Sequence, residues 1–215
     1  METSKIVKIH SAGADAKGII RPVTIEVQIT KGIGIHLIGL ADAQVKESLL
    51  RTITTLQSLG YHIPGKKIVI NIAPGSIYKR GSNYDLPIAI GILVASGQIV
   101  VDEERLGRCV FSGELGLDGT IRAGEPYQGY AMAVSALGLV DAERPRCLVT
   151  SEETAIEAST VTNILSYGFR ELGQLLNVLT GRIVGTSWLI WHKEVYKNTV
   201  EKPIEIIRTS TDFPL

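Results

Sequence analysis

Apolar and polar positions alternate through the first third of the chain. The stretches "KIVKIHSA" (residues 5–12) and "IIRPVTIEVQIT" (residues 19–30) are rich in Ile, Val and Thr and predict two half-buried strands. The glycine-bounded "GIHLIGL" (34–40) predicts a short third. From Asp42 the period lengthens: Val45, Leu49, Ile53 and Leu56 recur at helical spacing, with Lys46, Glu47 and Arg51 off that stripe. An amphipathic helix is expected there, with Asp42 near its N-cap and Gly60 ending it. A strand "KIVINIA" (67–73) follows, then the turn "KRGSNYD" and an apolar helix from about residue 86 to 96. Next, "CVFSGELGLDGTI" predicts a hairpin turning at Leu117-Asp118-Gly119-Thr120, because an Asp-Gly pair between strand-like flanks is a strong turn signal. A helix over 126–139, a strand "RCLVT", and helices over 151–158 and 169–179 complete the pattern. Strands alternating with helices place the chain in the α/β (α+β) class. Residues 5–181 form the expected domain; residues 182–215 carry no clear pattern and are expected to be a divergent tail that docks through Trp188 and Trp191.

Composition narrows the class. At 215 residues, 45% hydrophobic and 20% charged, the chain can bury the core of one ordinary domain. Its longest apolar runs, "LPIAIGILVAS" and "IVGTSWLIW", fall short of the roughly 20 residues that span a bilayer, and the N-terminus lacks the apolar block of a signal peptide. A cytoplasmic protein without membrane association is therefore expected. Cys109 and Cys147 have no CxxC partner and no nearby histidine pair, which predicts buried thiols rather than a disulfide scaffold or a zinc site. Formal net charge is zero, but residues 1–80 hold 11 Lys/Arg against 5 Asp/Glu, and residues 81–182 hold 7 against 13. The halves, +6 and −6, favour complementary faces packed within the fold or between copies. The other reading is a nucleic-acid contact by the basic third through Lys66, Lys67, Lys79 and Arg80.

Candidate chemistry is sparse. "GYHIPGKK" (60–67) has the GxxxxGK spacing of a phosphate-binding loop, but Lys67 stands where a magnesium-ligating hydroxyl is needed, and the segment follows a helix and opens a strand. Gly32, Gly34 and Gly39 have the wrong spacing for a dinucleotide fingerprint. His10, His36, His62 and His192 are dispersed, with none a helical turn from another ligand type, so no metal or cofactor is expected. Asp85 is expected to accept from the first amides of the helix it opens, with Pro87 tolerated in the first turn. Glu114 is expected to pair with Arg122 across the hairpin.

Four blocks occur in the order and spacing of one known module: "GIHLIGLADAQVKES" (34–48), "IVINIAPGSIYKRGSNYDLPIAIGILVASG" (68–97), "GELGLDGTIR" (113–122) and "SEETAIEA" (151–158). Over about residues 5–181 the chain resembles the N-terminal domain of the magnesium-chelatase-like ComM (YifB) family of AAA+ proteins. That resemblance implies the superfold of the Lon protease proteolytic domain, shared with a ribosomal small-subunit protein domain: mixed strands with helices packed on one side. Family members resemble hexameric ATP-driven helicases that promote DNA branch migration in natural transformation. This chain is expected to end where their ATPase module would begin, and no Walker motif can be assigned in it. Lys46, Glu47 and Asp85 match family motif positions.

The Lon-like relation also raises a Ser-Lys dyad. A serine nucleophile needs a base within hydrogen-bond reach. The position corresponding to the Lon serine is Asn83, and the segment 122–125 that corresponds to its lysine contains none; no lysine occurs between Lys79 and Lys193. Ser82 is adjacent but has no lysine base either. Ala41, Asn83 and "AGEPYQGY" (123–130) depart from the family pattern. Gly81, Ser82, Asn83, Asp85, Pro87 and Glu114 are thus expected as structural motif residues rather than catalytic ones. The leading expectation is a non-enzymatic, stand-alone interaction or assembly module of a DNA-processing AAA+ system, partnering a full-length ComM-like protein or itself. A nucleic-acid-binding module, a degenerate Lon-like hydrolase, and an enzyme with a convergent site around Glu114, Asp85 and Ser82 are the alternatives.

Overall fold

The computed structural model describes residues 5–124, 128–137, 147–161, 164–182 and 189–191. In chain order its elements are β1 (Ile6–Ala14), β2 (Ile20–Thr30), β3 (Ile35–Ile38), α1 (Ala43–Ser58), β4 (Lys67–Ala73), α2 (Asp85–Ala95) and α3 (Glu103–Arg108), then β5 (Cys109–Phe111), β6 (Glu114–Leu115) and β7 (Ile121–Arg122). α4 (Gly129–Leu137), β8 (Cys147–Ser151), α5 (Glu152–Ala158), β9 (Leu165–Phe169), α6 (Leu172–Leu179) and β10 (Leu189–Trp191) follow.

The β1–β2 turn is tied by the Asp15 carboxylate, which accepts from the amides of Lys17 at 2.8 Å and Ile19 at 3.0 Å. The two strands then pair antiparallel from Ala14↔Ile20 to Ile6↔Gln28. β4 adds antiparallel to β2, and β3 parallel to β4 at the edge. On the other side of β1, β5, β8 and β9 continue in parallel, and β10 pairs antiparallel with β9. The order is β10-β9-β8-β5-β1-β2-β4-β3. The mixed α+β class is as expected, and β10 places three residues of the expected tail on the sheet edge.

Strand alternation divides the core between two faces. Ile9, Cys109, Phe111, Cys147 and Val149 point into the main cluster with α2 and α6, whereas Ala12, Val110 and Leu148 point into a second cluster with Met132, Ala133 and Ala136 of α4 and Ala158 of α5. Helices therefore lie on both faces, not one. The parallel strands are apolar on both sides, and their crossover helices supply the second cover. Over β1, β2 and β4 that face stays polar: Lys8 meets Glu26 at 3.8 Å, and Asn71 donates to the same carboxylate at 2.9 Å.

α1 starts as predicted, with the Asp42 carboxylate accepting from the Val45 amide at 2.8 Å. Its buried stripe differs from the expected one: Val45, Ser48, Thr52, Thr55 and Leu56 are buried, while Leu49 and Ile53 are only partly covered. Small hydroxyls tolerate burial here because they are bonded: Thr52 Oγ1 donates to the Asp85 carbonyl at 3.4 Å and Thr55 Oγ1 to the Gly116 carbonyl at 3.1 Å. α2 is buried from Asp85 to Leu93, a core helix with no polar stripe. Gly91 sets its distance from the sheet, since a Cβ there would meet Val27 Cγ2 at 2.6 Å.

The hairpin β6–β7 forms one residue earlier than expected: Gly116 accepts from Gly119 at 2.9 Å and donates to Thr120 at 2.8 Å, with Gly119 at φ 89. β5 is not one of its arms but a strand of the main sheet. α3 and β9 were not anticipated. α3 is a turn and a half with one buried apolar residue, Leu106, and β9, "LSYGF", is too short to show a period. α6 consequently begins at Leu172, not 169. α4 lies inside its expected span, whose ends Pro126 and Leu139 fall outside the described residues, as does Trp188.

Candidate functional site

The turn from Lys79 to Asp85 runs against the end of β1 and the start of α1. The Lys79 amide donates to the Leu40 carbonyl at 2.7 Å and its carbonyl accepts from the Asp42 amide at 3.2 Å, while Arg80 pairs with Ala14 of β1. β1, the start of α1 and the start of α2 are thereby joined through one backbone segment. Tyr84, fully buried, is the N-cap residue of α2 and makes no side-chain cap bond; burial pushes its phenol pKa upward.

Asp85 does not cap the helix, contrary to expectation. The first-turn amides are satisfied by backbone: Asp85 N–H donates to the Ser82 carbonyl at 3.4 Å and Leu86 N–H to the Gly113 carbonyl at 3.1 Å, and Pro87 has none to offer. The carboxylate is instead turned toward α1 and β6. Arg51 Nε donates to its Oδ2 at 2.6 Å, Arg51 Nη2 to its Oδ1 at 3.3 Å, and the Leu115 amide to Oδ2 at 3.0 Å. Burial pushes the Asp85 pKa above its ordinary value, opposed by the hydrogen bonds from Arg51, Ser48 and the Leu115 amide and by the charge of Arg51. The Arg51 pKa is raised by its bond to Asp85, against burial.

Glu114 also reaches Arg51, at 4.0 Å from Nη2. It stands opposite Arg122 in the β6–β7 register, but the expected Glu114–Arg122 ion pair is not made; Arg122 Nε donates to Thr120 Oγ1 at 3.2 Å. The reason is reach: α1 carries a guanidinium over the hairpin that no local spacing announced.

Asn83 is buried, with its amide Nδ2 donating to Gln128 Oε1 at 3.3 Å. Its Oδ1 occupies the space a side chain at Gly124 would need, 2.2 Å from a Cβ built there. Among the described residues that oxygen has no partner. Position 124 lies in the segment where the Lon-like comparison would place a lysine, and Asn83 leaves it no room. Ser82 and Gly81 complete the turn, Ser82 half-buried and Gly81 at φ 90.

Lys79 requires a second correction. Its side chain is fully buried and its amine donates to the Pro74 carbonyl, so it cannot touch nucleic acid. Burial pushes its pKa below the ordinary 10.5. Lys66 and Arg80 are exposed and Lys67 partly so, but Lys66 and Lys67 stand at the start of β4 and Arg80 beyond its end, roughly 20 Å away along a seven-residue strand. They do not form one patch. Among the described residues the ion pairs Lys5–Glu103, Arg51–Asp85 and Arg51–Glu114 join the basic third to the acidic remainder.

The arrangement can fix three elements on a buried charge, and the Ser48 hydroxyl that bonds to the Asp85 carboxylate is itself fully buried. Among the described residues no group of three His, Cys, Asp or Glu is placed to hold a metal ion, and no helix is long and apolar enough to cross a membrane. A cleft of about 220 Å³ lies away from the turn, between β1 and α3, lined in part by Lys5, Lys8, His10, Val94 and Leu106. Sequence reasoning missed Arg51, Ser48, Gly124 and Gln128; the only hint was that Arg51 follows Ser48 by three residues on the helix.

Residues 25–141 match the family described as "Subunit ChlI of Mg-chelatase". The chain is 43% identical over 102 residues to "Uncharacterized protein YifB" of Escherichia coli, covering 47% of this chain and 20% of that protein. It is 35% identical over 161 residues to "Competence protein ComM" of Haemophilus influenzae, covering 74% of this chain and 30% of the relative. An uncharacterized protein of Mycobacterium tuberculosis is 36% identical over 162 residues, with the same coverage. The match thus spans less than a third of each of these relatives.

Proposed function

Because the chain belongs to the family of the Mg-chelatase subunit ChlI, among the ComM and YifB proteins, we propose that it is a non-enzymatic interaction and assembly module of a DNA-processing AAA+ system. The observation that carries the reading is the state of the turn at 79–85. Asn83 fills the nucleophile position with a buried amide, the Lys79 amine is spent on the Pro74 carbonyl, and the Asp85 carboxylate is committed to Arg51 and the Leu115 amide. The lysine amine and the carboxylate of this turn are thus engaged in holding elements together. Competence is the setting because one of the relatives matched over 74% of this chain, that of Haemophilus influenzae, bears that name, and the cytoplasm is where such a system would meet incoming DNA. The partner is a full-length ComM-type protein, or a second copy of this chain.

Purified chain is mixed with a full-length ComM-type protein and followed by size-exclusion chromatography with light scattering and by ATPase rate. Co-elution with an altered rate is expected. Separate elution with an unchanged rate, while the chain alone is monomeric, would sink the proposal.

A further inference from the structure

We propose that Cys109 and Cys147 are a site of oxidative modification, converted by a peroxide into an intramolecular disulfide that staples β5 to β8. The two residues are direct register partners on adjacent parallel strands. Strands in a sheet lie about 4.8 Å apart, within the roughly 4.4–6.8 Å between Cα atoms that a disulfide spans. Both side chains point into the main core cluster, so they meet on one face of the sheet. Their sulfurs are 3.0 Å apart, about 1 Å beyond the S–S bond length. Neither is in a disulfide in this structure.

The alternatives for such a pair are weaker. Among the described residues no third ligand stands by for a metal, and a structural zinc site needs four. Both thiols are buried, which disfavours cross-linking between copies. A small peroxide reaches them when the strand ends open locally, since Cys109 and Cys147 are the first residues of β5 and β8. The chemistry balances in two steps. One thiol ionises and its thiolate attacks the peroxide oxygen, breaking the O–O bond to give a sulfenic acid and a hydroxide that takes up the released proton as water; the second sulfur then displaces the sulfenic hydroxyl, which leaves as water with that thiol's proton as the S–S bond forms. The oxidant gains the two electrons the thiols lose. The closed loop joins residues 38 apart and encloses β6, β7 and α4.

The full chain, kept reduced, is exposed to hydrogen peroxide, denatured, alkylated and mapped by mass spectrometry. The expected product has lost both alkylation sites and the two thiol hydrogens, yields a Cys109–Cys147 linked peptide, and reverts with dithiothreitol. Its unfolding temperature should rise by roughly 5–10 °C over the reduced form. Cys109→Ser and Cys147→Ser should each abolish the linked peptide and the shift. If those variants fail to fold, the wild-type peptide map decides alone. Two thiols still fully alkylated after Met132 has become the sulfoxide would overturn the proposal. Linkage only between copies, or sulfinic acid without linkage, would do the same.

Discussion

At the scale of single residues, Asp85 and Arg51 form the interaction most open to test. Breaking a buried pair by removing one partner leaves the other charge stranded, at a cost of about 3 kcal/mol. Arg51→Met should approach that figure, because Asp85 is fully buried; Asp85→Asn should cost less, because Arg51 retains 26% side-chain exposure and water can take over its charge. The two effects have a pH signature. The folded pKa of Asp85 lies above its ordinary 3.8, so its protonated form favours the native state and that contribution is lost as pH rises through the folded value. Removing Arg51 raises that pKa further. The deficit of Arg51→Met should therefore narrow as pH falls toward 3.8, which urea unfolding at neutral and mildly acid pH would detect. Asn83→Ser places a hydroxyl at the position that the resemblance to Lon matches to a serine, without adding a base. It should gain no labelling by a fluorophosphonate probe, and clear labelling would reopen the hydrolase reading.

The elements show where local signals suffice. Asp42→Ala should lower stability by about 1 kcal/mol, the usual value of an N-cap, and loss of less than a few tenths would mean water replaces the cap. Gly91→Ala gains about 1 kcal/mol of helix propensity but drives a methyl into Val27; a net loss of roughly 1–2 kcal/mol in thermal unfolding is expected, and a stabilised variant would show that α2 can move away from the sheet. Strands β1, β2 and β4, the cap of α1 and the Asp-Gly hairpin were legible because their signals lie within a few residues of one another. The buried face of α1 was not. Ser48, Thr52 and Thr55 look like solvent-facing residues until the Asp85 and Gly116 carbonyls, distant in sequence, accept from the two threonines. β9 went unread because five residues including Gly168 carry no period, and it exists as a strand because β8 and β10 flank it.

For the whole molecule, the opposed charges of the two halves are partly consumed by pairs that cross between them. With Lys79 buried and Arg80 separated from Lys66 and Lys67, labelled single-stranded DNA should show no shift with the isolated chain even at low ionic strength; a shift that weakens steeply with salt would restore the nucleic-acid reading. The sequence by itself determined the α+β class, the family and most element positions, because periods, caps, motif order and residue identity are properties of the chain alone. Only the tertiary structure decided what the conspicuous turn does. It brought Arg51 and Leu115 to Asp85, set Asn83 against Gly124, and buried Lys79 and the two thiols. Those contacts join residues tens of positions apart, and no local pattern encodes which side chain will stand opposite another once the helices close over the sheet.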